Sequence, residues 1–121
     1  MGLQKFIFNG LCALACTLTG VMTHASELSD KLQSPDHVLL MRHTLAPGIG
    51  DPANYTLNDC KTQRNLSTEG RKQAVAVGNW LKQQGIQNAE VHTSMWYRCK
   101  DTADLLKLGP VIVEPALASF F

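Results

Sequence analysis

Arg42, His43 and Arg98 are the residues of this chain whose types and placing could do chemistry together. The apolar run 38–41 ends abruptly in Arg42 and His43, so the chain passes within one peptide bond from residues that favour a core to residues that need charge partners or water. A buried strand delivers polar groups to its end in this way. Two guanidinium groups and an imidazole in one place describe an anion site. A phosphoryl group is the natural anion, because guanidinium forks hold its oxygens in pairs and stay charged at any working pH. A neutral imidazole can attack phosphorus through one ring nitrogen if the other holds its proton against a carbonyl or carboxylate. The arginines would then offset charge as it shifts among the equatorial oxygens, which is catalysis by positioning and electrostatics.

The elements that must position these residues follow from pattern. Residues 37–41 read as a first strand. Residues 45–65, with Pro47, Gly48, Gly50, Pro52 and several Asn and Asp, show no period and read as a loop that covers the end of that strand. Ser67 can cap a helix whose first turn carries Glu69. Ala74, Val77, Gly78 and Leu81 share one face of that helix, with Trp80 at its edge, and Gly85 is a ready stop. Residues 90–94 read as a second strand, 97–106 as a second helix, and 111–113 as a third strand between Pro110 and Pro115. A helical turn is expected at 29–33. Strand, helix, strand, helix, strand predicts an α/β fold with a mostly parallel sheet and crossover helices. Successive parallel strands end at one sheet edge, which brings Arg42, His43 and Arg98 to the same side.

Length and composition bound the rest. The chain has 121 residues and a formal net charge of +1, enough for one small domain and without the basic excess that a polyanion partner needs. Residues 1–25 carry only Lys5, an apolar core and Thr23-His24-Ala25 before polar Ser26-Glu27. They read as a signal peptide cut after Ala25, since the apolar core is short and no basic stop-transfer cluster follows it. A lipoprotein processed at Cys16 would lack the usual leucine three residues earlier. Domain 26–121 is therefore expected to be exported, periplasmic or secreted, with no stable membrane insertion after cleavage. The mature chain is formally neutral, and 96 residues can remove about two thirds of their surface from water. Cys60 and Cys99 remain as a disulfide candidate, with two separate buried thiols as the alternative. No Cys/His spacing points to zinc or another metal, and no cofactor is implied.

Other polar residues carry blander readings. His37 reads as a solvated strand-entry residue, His92 as a packed or edge residue, and Asp101 and Asp104 as helix-dipole partners. Trp80, Trp96 and Tyr97 read as packing and not as a base-stacking platform, because no basic stripe accompanies them. Arg64 reads as a solvated loop arginine, with a reach into the pocket as the alternative.

Three segments together carry a resemblance. Leu40-Met41-Arg42-His43-Thr44 resembles the strand-one Arg-His motif of the histidine phosphatase (phosphoglycerate mutase-like) superfamily, with threonine where many members have glycine or alanine. Leu66-Ser67-Thr68-Glu69-Gly70-Arg71-Lys72-Gln73-Ala74 is similar to the start of that family's first helix, Leu-Thr/Ser-x-x-Gly-x-x-Gln-Ala. Residues 93–103 are similar to its Ser-Ser-x-x-x-Arg-x-x-x-Thr-Ala segment. The resemblance implies a phosphoglycerate mutase-like three-layer sandwich and a phosphatase acting on a small phosphorylated substrate. It implies that His43 is the nucleophile that becomes phosphorylated, and that Arg42 and Arg98 bind the transferring phosphate. It also implies a second pocket histidine in a Ser-His-Gly-like segment and an acid for the leaving group, neither of which this chain carries in a matching motif. Glu114 and Asp51 are the nearest substitutes for the acid. The chain ends in Ser119-Phe120-Phe121, and the expectation is a member truncated at its C-terminus, with strands missing. A phosphate-binding module without turnover, and an inactive fragment, are the alternative functions.

Overall fold

A computed structural model describes residues 26–118. The expected signal peptide and the terminal phenylalanine pair lie outside the described residues. Three helices, α1 (Glu27–Leu32), α2 (Thr68–Gln83) and α3 (Tyr97–Leu106), accompany two strands, β1 (Val91–Thr93) and β2 (Val111–Val113). The strands pair in parallel, Val91 beside Val111, His92 beside Ile112 and Thr93 beside Val113. With α3 as the crossover between them, this is the smallest α/β unit. Two short 3₁₀ turns, Cys60–Thr62 and Pro115–Leu117, complete the described chain.

Local chemistry explains the helix limits. Ser67 is the N-cap of α2, and its hydroxyl accepts the Gly70 N–H at 3.0 Å. At the other end the Gln84 N–H closes on the Trp80 and Leu81 carbonyls. Gly85 then turns the chain at φ +95°, a conformation that glycine adopts without a Cβ penalty. Ser26 caps α1 in the same manner and ties it to the C-terminus of α2 through the Gln84 carbonyl, at 2.9 Å.

The core lies between α2, α3 and β1. Leu81, Ile86, Leu106 and Leu108 form its buried centre, with Leu28, Leu32, Val77, Ala89 and Val91 packed around them. Gly78 lets the two helices touch backbone to backbone, since a Cβ there would come within 2.2 Å of the Leu106 carbonyl oxygen. Trp80, expected at the edge of the buried face, is half exposed.

The expected first strand is corrected. Residues 37–41 form no strand, and Val38 and Leu40 are 88% and 84% exposed. The apolar run supplies β-propensity, but a strand exists only through its ladder, and among the described residues β1 and β2 pair solely with each other. The segment instead lines a cleft that Ala89, Val91 and Leu106 also line.

Candidate functional site

The chain just after His43 is clamped from two helices. The Thr44 N–H donates to the Thr102 hydroxyl at 3.2 Å, and that hydroxyl donates to the Arg98 carbonyl at 2.7 Å, so α3 carries both Arg98 and the anchor for residue 44. Leu45 is fixed from α2: its N–H donates to Gln73 Oε1 at 3.0 Å, and its carbonyl accepts the Ser67 N–H at 3.1 Å. Gly70 makes the approach feasible, because a Cβ at that position would lie 2.0 Å from the Leu45 oxygen. Ser67, Gly70, Gln73 and Thr102, motif residues whose tasks the sequence does not state, are thus the clamp that fixes the backbone beside His43.

His43 itself is half-buried. Its Nδ1 lies 2.7 Å from the Thr44 carbonyl oxygen. A carbonyl can only accept, so Nδ1 carries the proton and the neutral ring keeps its lone pair on Nε2. Burial holds the imidazole pKa below its usual value, and the nearby Arg98, Arg42 and Arg64 charges push the same way, against the opposing effect of the Thr44 hydrogen bond. The ring is therefore tuned towards the uncharged state that a nucleophile needs.

Arg98 is the most constrained cation. Its Nη1 donates to both oxygens of Asp51, at 2.9 and 3.0 Å, and each of the two side chains is only 9% exposed. The guanidinium stacks over Trp96, with Cζ 4.6 Å from the ring centroid, and Tyr55 lies against that ring at 4.9 Å. Arg98 Nε is buried and without a hydrogen-bond partner, as is the Ser94 hydroxyl oxygen beside the end of β1. Arg64 braces the loop: its Nε donates to the Gly50 carbonyl at 2.9 Å, its Nη1 to the Ala46 and Gly48 carbonyls, and its backbone N–H to Asp51 Oδ1 at 3.0 Å. It is a structural cation lining the cleft, the alternative reading of the sequence, and not a solvated loop residue.

Arg42, His43, Asp51, Arg64, Ser94 and Arg98 all line one open cleft of about 1260 Å³. The three residues singled out from the sequence therefore line the same cleft, with Arg42 exposed, His43 intermediate and Arg98 buried. Among the described residues no paired first strand holds Arg42 and His43 there, and the tie between Thr44 and Thr102 links residue 44 to the helix that carries Arg98. The two substitute acids are both engaged: Asp51 in the Arg98 pair, and Glu114 in accepting the Ala116 N–H at 3.2 Å. Asp101, expected to serve the α3 dipole, pairs with Arg71 of α2 instead. His92 is exposed and bonded to Glu90 at 2.7 Å. Cys60 and Cys99 are free thiols, one exposed and one half-buried.

Among the described residues no group of three or more His, Cys, Asp or Glu side chains could hold a metal ion, and no helix is long and apolar enough to cross a membrane. The family model of the histidine phosphatase superfamily (branch 1) matches residues 38–120. No curated protein and no solved structure matches the chain.

Proposed function

Because the chain belongs to the histidine phosphatase superfamily, we propose that His43 accepts a phosphoryl group from a small phosphate monoester and passes it to water. The observation that carries this reading is the Nδ1 contact with the Thr44 carbonyl, which leaves Nε2 as the free lone pair. In the first step Nε2 forms a bond to phosphorus while the ester P–O bond breaks and its electron pair leaves with the alcohol oxygen. In the second step water attacks the phosphohistidine, the N–P bond breaks and inorganic phosphate is released. Arg42 and Arg98 hold the equatorial oxygens through both steps. Arg64 adds charge without having to move, because three loop carbonyls fix it.

The three-layer sandwich of the family is the fold we propose, and the parallel pairing of β1 and β2 across α3 supports it. Export is supported by the pattern of residues 1–25.

The engagement of both substitute acids favours a second reading, a pocket that holds phosphate without turnover. An aryl ester separates the two, since its phenolate leaves without needing a proton. The test is hydrolysis of p-nitrophenyl phosphate by the full chain and by His43→Ala. Turnover in the former and none in the latter is the expected result. Equal turnover in both refutes the role of His43, and absence of turnover in both supports the binding module.

A further inference from the structure

Resting on the phosphate-binding reading above, we propose that Asp51 is a positioning residue that fixes the Arg98 guanidinium by Nη1 and leaves its Nε edge for the oxyanion. Arg98 and Asp51 are 47 positions apart in sequence, yet both side chains are nine-tenths buried at one contact. Both Asp51 oxygens approach the same nitrogen, at 2.9 and 3.0 Å. A carboxylate merely filling the place of a phosphate would take a parallel pair of N–H groups, one oxygen on each. Asp51 does not. It leaves the edge on which Nε–H and the neighbouring Nη2–H point side by side.

That edge has an unmet demand. Arg98 Nε is buried with no partner, and a buried charged donor without an acceptor is costly enough that native structures rarely keep one unless a ligand, ion or water answers it. One face of the guanidinium is covered by the Trp96 ring. With Nη1 bonded and that face stacked, the group is held in orientation before any ligand arrives, which removes an ordering cost from binding. Asp51 is braced in turn: the Arg64 N–H bonds its Oδ1, and the Arg64 side chain locks the Gly48 and Gly50 carbonyls around it. The 45–65 loop therefore reaches the cleft through one carboxylate. The carboxylate also sets the charge of the site, since three guanidinium groups against one carboxylate leave a surplus of two, the charge of a monoester dianion.

Two readouts on the full chain test this: inorganic phosphate affinity by calorimetric titration, and the Arg98 Nε–H resonance in ¹H–¹⁵N spectra. In the wild type the Nε–H signal is sharp and shifts when phosphate is added. Asp51→Ala broadens that signal and weakens phosphate binding by about tenfold or more, because the fork is no longer aligned. Asp51→Asn keeps an oxygen for Nη1 and for the Arg64 amide, so it preserves the loop and loses less, and it replaces the alanine variant should that one unfold. Phosphate bound by Asp51→Ala as tightly as by the wild type, or more tightly, overturns the proposal, since the carboxylate is then a bystander or a competitor. A wild type that binds no phosphate refutes the underlying reading alone. The role of Asp51 is still decided by the phosphate-free spectrum, where an Nε–H signal unchanged by Asp51→Ala and by Asp51→Asn overturns it.

Discussion

Substituting Gly70 by alanine gives a sign test of the clamp behind His43. In most helical positions alanine is favoured over glycine by about 0.5–1 kcal/mol, because glycine loses more backbone freedom on folding. At Gly70 the structure reverses that preference. The new Cβ would lie 2.0 Å from the Leu45 carbonyl oxygen, and ordinary contact begins at 3.4 Å, so the Leu45 backbone or the start of α2 must yield by about 1.4 Å. The yielding atom is backbone, and its neighbours are bonded: the Leu45 carbonyl accepts the Ser67 N–H, and the Leu45 N–H is held by Gln73. Overpacking of this kind costs about 1–3 kcal/mol, and with backbone on both sides the upper part of that range applies. After the gain in propensity the net loss is about 2 kcal/mol. Urea unfolding of Gly70→Ala beside wild type measures it. A second reading comes from phosphoryl transfer to His43, two residues from the displaced carbonyl, which should slow by about 10²-fold for a shift of this size. A variant as stable as wild type, or more stable, refutes the clamp.

Other outcomes follow from the same geometry. The pH at which His43 is half-protonated should lie below the ordinary 6.5, and it should rise in Arg98→Ala, which removes both a repelling charge and part of the burial; a ring-proton NMR titration shows both. With the folded-state pKa below the unfolded one, the unfolded chain binds more protons in that window. Stability is then full above pH 6.5 and declines as pH falls towards the folded value, as unfolding midpoints across that range should record. Arg98→Ala should also cost about 3–5 kcal/mol, because it strands a buried Asp51, whereas Arg71→Ala, which breaks a partly exposed pair with Asp101, should cost about 1 kcal/mol or less; urea denaturation of each compares them.

Much of the framework was legible because its signals are local. Ser67 before Glu69, glycine at 85 and the prolines around 111–113 mark ends of elements by chemistry that acts within a few residues, and α2, α3, β1 and β2 all lie where those signals put them. The run 38–41 shows the opposite case. Its apolar content was plain, but strand formation depends on a neighbour that no local pattern names. The site divides in the same way. Arg42, His43 and Arg98 were recognisable by residue type and motif, and they do share a cleft. Asp51 stood out only as a substitute acid and Arg64 mainly as a solvated residue, since an acid and a base in a long irregular loop look solvated until the fold brings one to Arg98 and wraps three carbonyls around the other. Gly70, Gln73 and Thr102 were visible as motif letters, yet only the position of residues 44 and 45 shows what they hold.

The central claim is that His43 presents Nε2, and not Nδ1, to a phosphoryl group. Treating the full chain with phosphoramidate and recording ³¹P NMR together with fragment mass spectra identifies both the residue and the nitrogen that is labelled. A single acid-labile phosphoryl group on Nε2 of His43, absent from His43→Ala, is the expected result. Phosphorylation at Nδ1, or label on other residues with His43 left unmodified, would contradict it.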